Sequence, residues 1–131
     1  MEIAVRDYEC DIQGVVNNAV YQNYLEHARH EYIKTLDIDF AGLHADGIDP
    51  MVTRAEIDYK RPLRSGDIAV ITVVMEQQGR MRLVFNQEIF DKTTKTPVMK
   101  AVITAAVVKN GRPVPVSVLY GGSVSKPGTP V

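Results

Sequence analysis

The chain has 131 residues, of which 45% are apolar and 24% charged, and fifteen basic against sixteen acidic side chains leave a formal net charge of −1. That suffices for one domain with its own core, and the charge balance excludes the basic surface that nucleic acid or an anionic membrane would require. Cys10 is the only cysteine, so no internal disulfide can form, which suits a reducing compartment.

Residues 2–9 read as a short strand, and nothing in them resembles the basic and then apolar segments of a signal peptide. Residues 10–17 form a loop that turns at Gly14. From Asn18 to Leu36 the apolar positions Tyr21, Leu25, Ala28, Tyr32 and Leu36 recur at steps of three and four, the stripe of an amphipathic helix. Asparagine is a poor helix interior residue and a good cap, so the pair Asn17-Asn18 marks the helix start. Residues 41–50 carry turn formers throughout and read as a loop.

The period then changes. "MVTRAEIDYKRP", "DIAVITVVMEQ", "RMRLVFNQEIF" and "TPVMKAVITAAVVK" are rich in Val, Ile, Thr and aromatic residues and read as four strands. "QQGR" and "DKTTKTP" supply turns between them, and Asn110-Gly111 ends the last. The longest apolar run, Ile68 to Met75, is too short to cross a bilayer, so the expectation is a soluble cytoplasmic protein. From Gly121 the chain is rich in Gly, Ser and Pro and reads as a mobile tail after a domain of residues 1–120.

One long helix and five antiparallel strands make an α+β domain in which the helix lies on one face of the sheet. The last strand is apolar on both faces, so a second cover is expected from a partner subunit, in a homodimer or a tetramer.

Asp11 stands just after a strand, on the loop that leads to the helix. A carboxylate there can serve as nucleophile or general base, while an unpaired first-turn N–H, at Asn18 or its neighbour, binds a carbonyl oxygen. The plainer readings are a loop aspartate in an Asx turn and two capping asparagines. The basic residues Lys60, Arg61 and Arg64 around Pro62, with Arg80 and Arg82 further on, read as solvated strand ends or as a grip for the phosphates of a nucleotide-bearing substrate. His27 and His30 lie three apart with acidic neighbours and read as surface ion pairs; no metal or other cofactor is implied. Cys10 has no base nearby in sequence, and "SVSK" in the tail is a chance match to a catalytic motif.

In order, these residues resemble a known pattern. "RDYECDIQGVVNNAVYQNYLEHARHEYI" resembles the front motif of hotdog-fold acyl-CoA and acyl-carrier-protein thioesterases, particularly the hydroxybenzoyl-CoA thioesterase-like branch, and its Asn-Asn version resembles the short plant and cyanobacterial acyl thioesterases. "IDYKRPLRSGD" (57–67) is a weaker echo of the same family. The resemblance implies a long helix wrapped by a curved sheet, an acyl-CoA or acyl-carrier-protein substrate, and hydrolysis to acid and thiol. It matches Asp11 to the catalytic carboxylate, Asn18 to the position whose backbone N–H polarises the thioester carbonyl, Gly14 to the tight turn and Tyr21 to the aromatic beside it. Val16 and Asn17 complete the expected substrate-binding stretch. Asn18 stands where many relatives carry His or Tyr, which leaves a backbone role intact. The competing expectations are a hydratase or dehydratase on this fold, which would need an acid–base pair near the helix, and a non-catalytic binder of acyl thioesters, which would need no Asp11.

Overall fold

A computed structural model of the chain describes residues 1–120, so the expectations for the tail and its "SVSK" lie outside the described residues. After β1 (Glu2–Ala4) and a 3₁₀ turn (Asp7–Glu9) comes α1 (Asn18–Ile33), then a short α2 (Phe40–Ala45). The strands β2 (Ile48–Tyr59), β3 (Ile68–Gln78), β4 (Arg82–Asp91), β5 (Pro97–Lys109) and β6 (Arg112–Val114) follow, with a 3₁₀ segment at Val116–Tyr120. The sheet is antiparallel with order β1-β3-β4-β5-β2, and β6 pairs with the end of β5. This is the α+β hotdog arrangement.

Strands β3 and β4 alternate strictly, and β5 does so from Ala101 onward, after Val98 and Met99, which are both buried. Ile71, Val73 and Met75 of β3, Leu83, Phe85 and Ile89 of β4, and Ala101, Ile103, Ala105 and Val107 of β5 face inward and are buried. Against them α1 turns Tyr21, Tyr24, Leu25, Ala28 and Tyr32. Each full-sized aliphatic side chain so buried contributes about 1.5–3 kcal/mol. One inward position is polar. The buried Gln87 accepts from Arg29 Nη1 at 2.9 Å and donates Nε2 to the carbonyl of Leu25 at 3.0 Å, which fixes the rotation of α1 on β4. Burial holds the Arg29 guanidinium pKa below its usual value, against the opposing attraction of Glu26 one turn before it.

The helix covers β3 and β4 but leaves β2 aside. Nearly all of β2 is exposed, including Met51, Val52 and Tyr59, and its outer edge pairs with no strand among the described residues.

Four expectations are corrected. The sheet has six strands, because Asn110 (φ 50°) and Gly111 (φ 81°) form a turn with both central residues at positive φ, which returns the chain along β5 as β6. Pro113 hid this strand, since proline is tolerated only where no ladder donor is needed. The helix ends at Ile33, not Leu36: Thr35 N–H and Leu36 N–H bond three residues back, to Tyr32 and Ile33, and the Thr35 hydroxyl donates to the same Tyr32 carbonyl at 2.6 Å. The stretch read as a loop contains α2, capped by the Asp39 carboxylate on Gly42 N–H at 3.0 Å, and β2 begins within it at Ile48. The first strand stops at Ala4, because Arg6 and Glu9 close a 3₁₀ turn.

Candidate active site

The loop before α1 is tied to itself. Cys10 pairs with Val16 across it, Asp11 N–H donates to the Val15 carbonyl at 2.8 Å, and Gly14 N–H donates to the Asp11 carbonyl at 2.9 Å. Gly14 sits at φ 80°, a conformation that a side chain would strain. Asp11 is exposed, and its Oδ1 accepts from Gln13 N–H at 2.9 Å and Val15 N–H at 3.4 Å. Its Oδ2 accepts no hydrogen bond among the described residues, so one carboxylate oxygen is anchored and the other presented.

At the helix start the donors divide unevenly. Asn17 is extended, and its side-chain oxygen accepts from Ala19 N–H at 2.9 Å. Its carbonyl accepts from Val20 N–H at 3.0 Å and Tyr21 N–H at 3.3 Å. The N–H of Asn18 alone in this turn has no acceptor among the described residues. It carries the positive end of a 16-residue helix dipole, on an exposed residue.

Both pieces are held from beneath. Asn17 N–H donates to the Glu9 carbonyl at 3.0 Å and Val16 N–H to the Leu63 carbonyl at 2.8 Å. The Glu9 carboxylate is buried. Oε1 accepts from Arg6 N–H (2.9 Å), Arg6 Nε (3.0 Å) and the Tyr24 hydroxyl (2.8 Å), and Oε2 accepts from Arg6 Nη2 (2.9 Å). The Arg6 hydrogen bonds pull its pKa down to about 2, against the opposing effect of burial. Burial, then the bond to Glu9, pushes the Tyr24 phenol well above its ordinary range, so it stays a donor. The Tyr21 hydroxyl accepts from Leu63 N–H at 2.8 Å, and burial raises its pKa too.

A cavity of about 230 Å³ opens beside Asn18, with Val16 and Tyr21 on one wall and Tyr59, Lys60 and Arg61 on the other. The rings of Tyr21 and Tyr59 meet at 5.8 Å. The fold therefore brings Val16, Asn18, Tyr21, Lys60 and Arg61 together. Asn17 caps the helix and Gly14 shapes the loop. Arg64 stands behind the cavity, bridged to Val15 along the backbone, with its own N–H held by the Asp67 carboxylate at 2.8 Å. Arg80 and Arg82 lie at the β3–β4 turn, away from this mouth. His27 and His30 are exposed, the latter 3.9 Å from Glu26. Cys10 sits half-buried, its thiol aimed at the Arg6 carbonyl at 3.9 Å. No group of three His, Cys, Asp or Glu suited to a metal occurs among the described residues.

Glu9 and Leu63 were not singled out from the sequence, and Tyr24 stood there only as the second aromatic of the front motif, with no role at the loop. Arg6 three residues before Glu9 was the only local signal; Tyr24 and Leu63 reach the loop through tertiary structure alone.

The family model described as the thioesterase superfamily matches residues 13–98, beginning two residues past Asp11. The chain is 36% identical over 101 residues to the chloroplastic acyl-acyl carrier protein thioesterase ATL3 of Arabidopsis thaliana, covering 77% of this chain and 53% of that one. It is 32% identical over 103 residues to the long-chain acyl-CoA thioesterase FadM of Escherichia coli, covering 79% and 77%. The chain thus spans about half the length of the Arabidopsis relative. Among solved structures, the probable thioesterase YbaW of Escherichia coli matches with a TM-score of 0.80 at 28% identity over 89% of each chain. A 1,4-dihydroxy-2-naphthoyl-CoA thioesterase from Synechocystis matches in fold, with a TM-score of 0.83 at 16% identity over 92% of this chain and 90% of that one.

Proposed function

The chain belongs to the thioesterase superfamily, and we propose that it hydrolyses an acyl-CoA or acyl-carrier-protein thioester to the free acid and thiol. The observation that carries the reading is the unpaired N–H of Asn18 at the head of α1, opening on a cavity beside the Asp11 loop. The thioester carbonyl oxygen accepts from this N–H, which stabilises the negative charge that forms when the carbonyl carbon is attacked. Asp11 Oδ2 acts in one of two ways. As a general base it takes a proton from water while the water oxygen bonds to the carbonyl carbon. As a nucleophile it bonds to that carbon itself, and water then hydrolyses the mixed anhydride. Either way the carbon–sulfur bond breaks and the thiolate leaves without needing a strong acid.

Lys60 and Arg61 at the mouth suit the phosphates that coenzyme A and the prosthetic group of carrier proteins share. The names of the relatives, an acyl-carrier-protein thioesterase and an acyl-CoA thioesterase, support both carriers. The open twelve-residue edge of β2, where Met51, Val52 and Tyr59 are about half exposed (55%, 54% and 48%), supports a homodimer joined there. The half-buried Val70, Val74, Val84 and Val102 on the outer face of the sheet supply a surface for pairing dimers into tetramers. A cytoplasmic site of action, suited to the lone thiol of Cys10, belongs to the same reading.

The test is thiol release from aromatic and aliphatic acyl-CoAs and from acyl-carrier proteins by the wild type and by Asp11→Asn. Turnover by the wild type with loss of most of the rate in a folded variant supports the reading. Equal rates in both would remove Asp11 from the chemistry.

A further inference from the structure

The loop that carries Asp11 is bare on its outer side: Tyr8 before Asp11 and Ile12 after it are exposed, as is Asp11 itself. What the loop rests on is the helix. The limb that enters it ends on Glu9, whose carbonyl accepts from Asn17 N–H at 3.0 Å and whose buried Oε1 accepts from the Tyr24 hydroxyl at 2.8 Å. The limb that returns runs through Val16, whose N–H donates to the Leu63 carbonyl at 2.8 Å, while Leu63 N–H donates to the Tyr21 hydroxyl, also at 2.8 Å. Tyr21 and Tyr24 stand one turn apart on α1, and both are buried. The helix that presents the Asn18 N–H thus also holds, through two hydroxyls, both limbs of the loop that presents Asp11.

The two tethers differ in chemistry. Leu63 offers an uncharged N–H. Glu9 is a carboxylate, enclosed by Tyr24 on the helix side and by Arg6 N–H, Nε and Nη2 at 2.9–3.0 Å on the other. Arg6 follows the buried Val5, whose N–H donates to the Asp67 carbonyl, so the second grip on Glu9 is itself anchored. A buried ion pair is a poor source of net stability, since an apolar side chain of similar volume commonly does as well. What an apolar side chain lacks is direction. Four hydrogen bonds to a charged group fix the Glu9 carboxylate in one place, and with it the backbone two residues before Asp11.

Resting on the thioesterase reading, we infer that Glu9 and Tyr24 are positioning residues for the hydrolysis: their link sets the Asp11 carboxylate against the Asn18 N–H, so that the attacking oxygen and the oxyanion donor address one thioester carbonyl. Neither residue lines the cavity beside Asn18, and both act through the loop above them. Their effect is therefore on kcat. The groups that bind the substrate at the mouth stay where they are, while the barrier depends on the spacing of two groups carried by different elements. An error of about 1 Å in such spacing costs up to about a hundredfold in rate, so removing one of the bonds is expected to cost about tenfold.

The experiment compares wild type, Tyr24→Phe, Glu9→Gln, the double variant and a control, Val116→Ala, in the full chain. Val116 is buried beside the β3–β4 turn, with its N–H on the Arg80 carbonyl, so truncating it lowers the denaturation midpoint without reaching the loop. One readout is kcat and KM on acyl-CoAs and acyl-carrier proteins, per folded protein and well below every midpoint. The other is amide hydrogen exchange of Asp11, Gly14, Val16 and Asn17, which needs no turnover. Tyr24→Phe and Glu9→Gln should each lower kcat about tenfold with KM within about twofold, and Val116→Ala should keep both within about twofold. The double variant should lose about tenfold to thirtyfold rather than a hundredfold, because both substitutions cut the same link. The four amides should exchange about tenfold faster in the Tyr24 and Glu9 variants and unchanged in the control. Each single variant tests the link alone should the other fail to fold. A wild type that hydrolyses no thioester, while loop exchange still depends on Tyr24 and Glu9, leaves the tether standing and removes the hydrolytic reading. Hydrolysis in which kcat of both single variants falls no further than in Val116→Ala, or in which the loss is in KM, overturns the inference and leaves the hydrolytic reading standing. Loop exchange indifferent to both residues overturns the inference whether or not the wild type turns over.

Discussion

Replacing Glu9 by Gln keeps the shape of the side chain and removes only its charge. In the native fold that carboxyl titrates at about 2 instead of 4.5, held by Arg6 and Tyr24 in a buried position. At 1.36 kcal/mol per pH unit the difference corresponds to about 3 kcal/mol. The Arg6 side chain is half exposed, so solvent screening reduces this to about 2 kcal/mol. The sign follows from the direction of the shift. A depressed carboxyl pKa stabilises the fold fully above 4.5, and the contribution is lost as the pH falls through 4.5 toward 2. Urea denaturation at fixed protein concentration should therefore show Glu9→Gln about 2 kcal/mol less stable than wild type at pH 7. More than half of that gap should have closed at pH 3, with similar m values in both proteins. A gap below about 0.5 kcal/mol at pH 7, or one of equal size at both pH values, would refute the assignment of Glu9 as the charged anchor under the Asp11 loop.

Other perturbations follow from the same geometry. Tyr24→Phe removes a donor from the buried Glu9 carboxylate and should cost about 1.5–3 kcal/mol in urea denaturation, less additively with Glu9→Gln than two independent sites would be. Asn17→Ala deletes the cap on Ala19 N–H; about 1 kcal/mol of stability should go, along with a measurable part of kcat, because the Asn18 amide loses its orientation. Gly14→Ala forces a side chain to φ 80° in open space, so thermal denaturation should register a cost of about 1 kcal/mol from backbone strain without a steric clash. Lys60→Ala with Arg61→Ala should raise KM for acyl-CoA several-fold and leave kcat nearly unchanged, since these residues face the carrier rather than the reacting carbonyl.

What was legible in the sequence was local. The turn at Gly14, the cap at Asn17 and the start of α1 at Asn18 depend on residues within a few positions of one another, and the three central strands announce themselves by alternation. What was not legible depends on distance. Tyr24 meets Glu9 fifteen residues away, and Tyr21 meets Leu63 forty-two away. The tyrosines on α1 are anchors for the active-site loop as well as core, and periodicity registers only the second role. The gap between α1 and β2 was equally hidden, because the helix is held toward β4 by Gln87, a single polar residue in an apolar strand. Strand β6 was missed for a local reason: Pro113 reads as a stop, yet it lies where no donor is required.

The central claim is that the backbone N–H of Asn18 binds the thioester carbonyl, and the most direct measurement removes that N–H alone. Replacing residue 18 by the α-hydroxy acid analogue of asparagine converts its amide to an ester and leaves every side chain in place. In that variant kcat on the preferred acyl-CoA should fall about 10²–10³-fold with KM little changed, while the denaturation midpoint moves only slightly. An ester variant that is folded and retains its full kcat would contradict it.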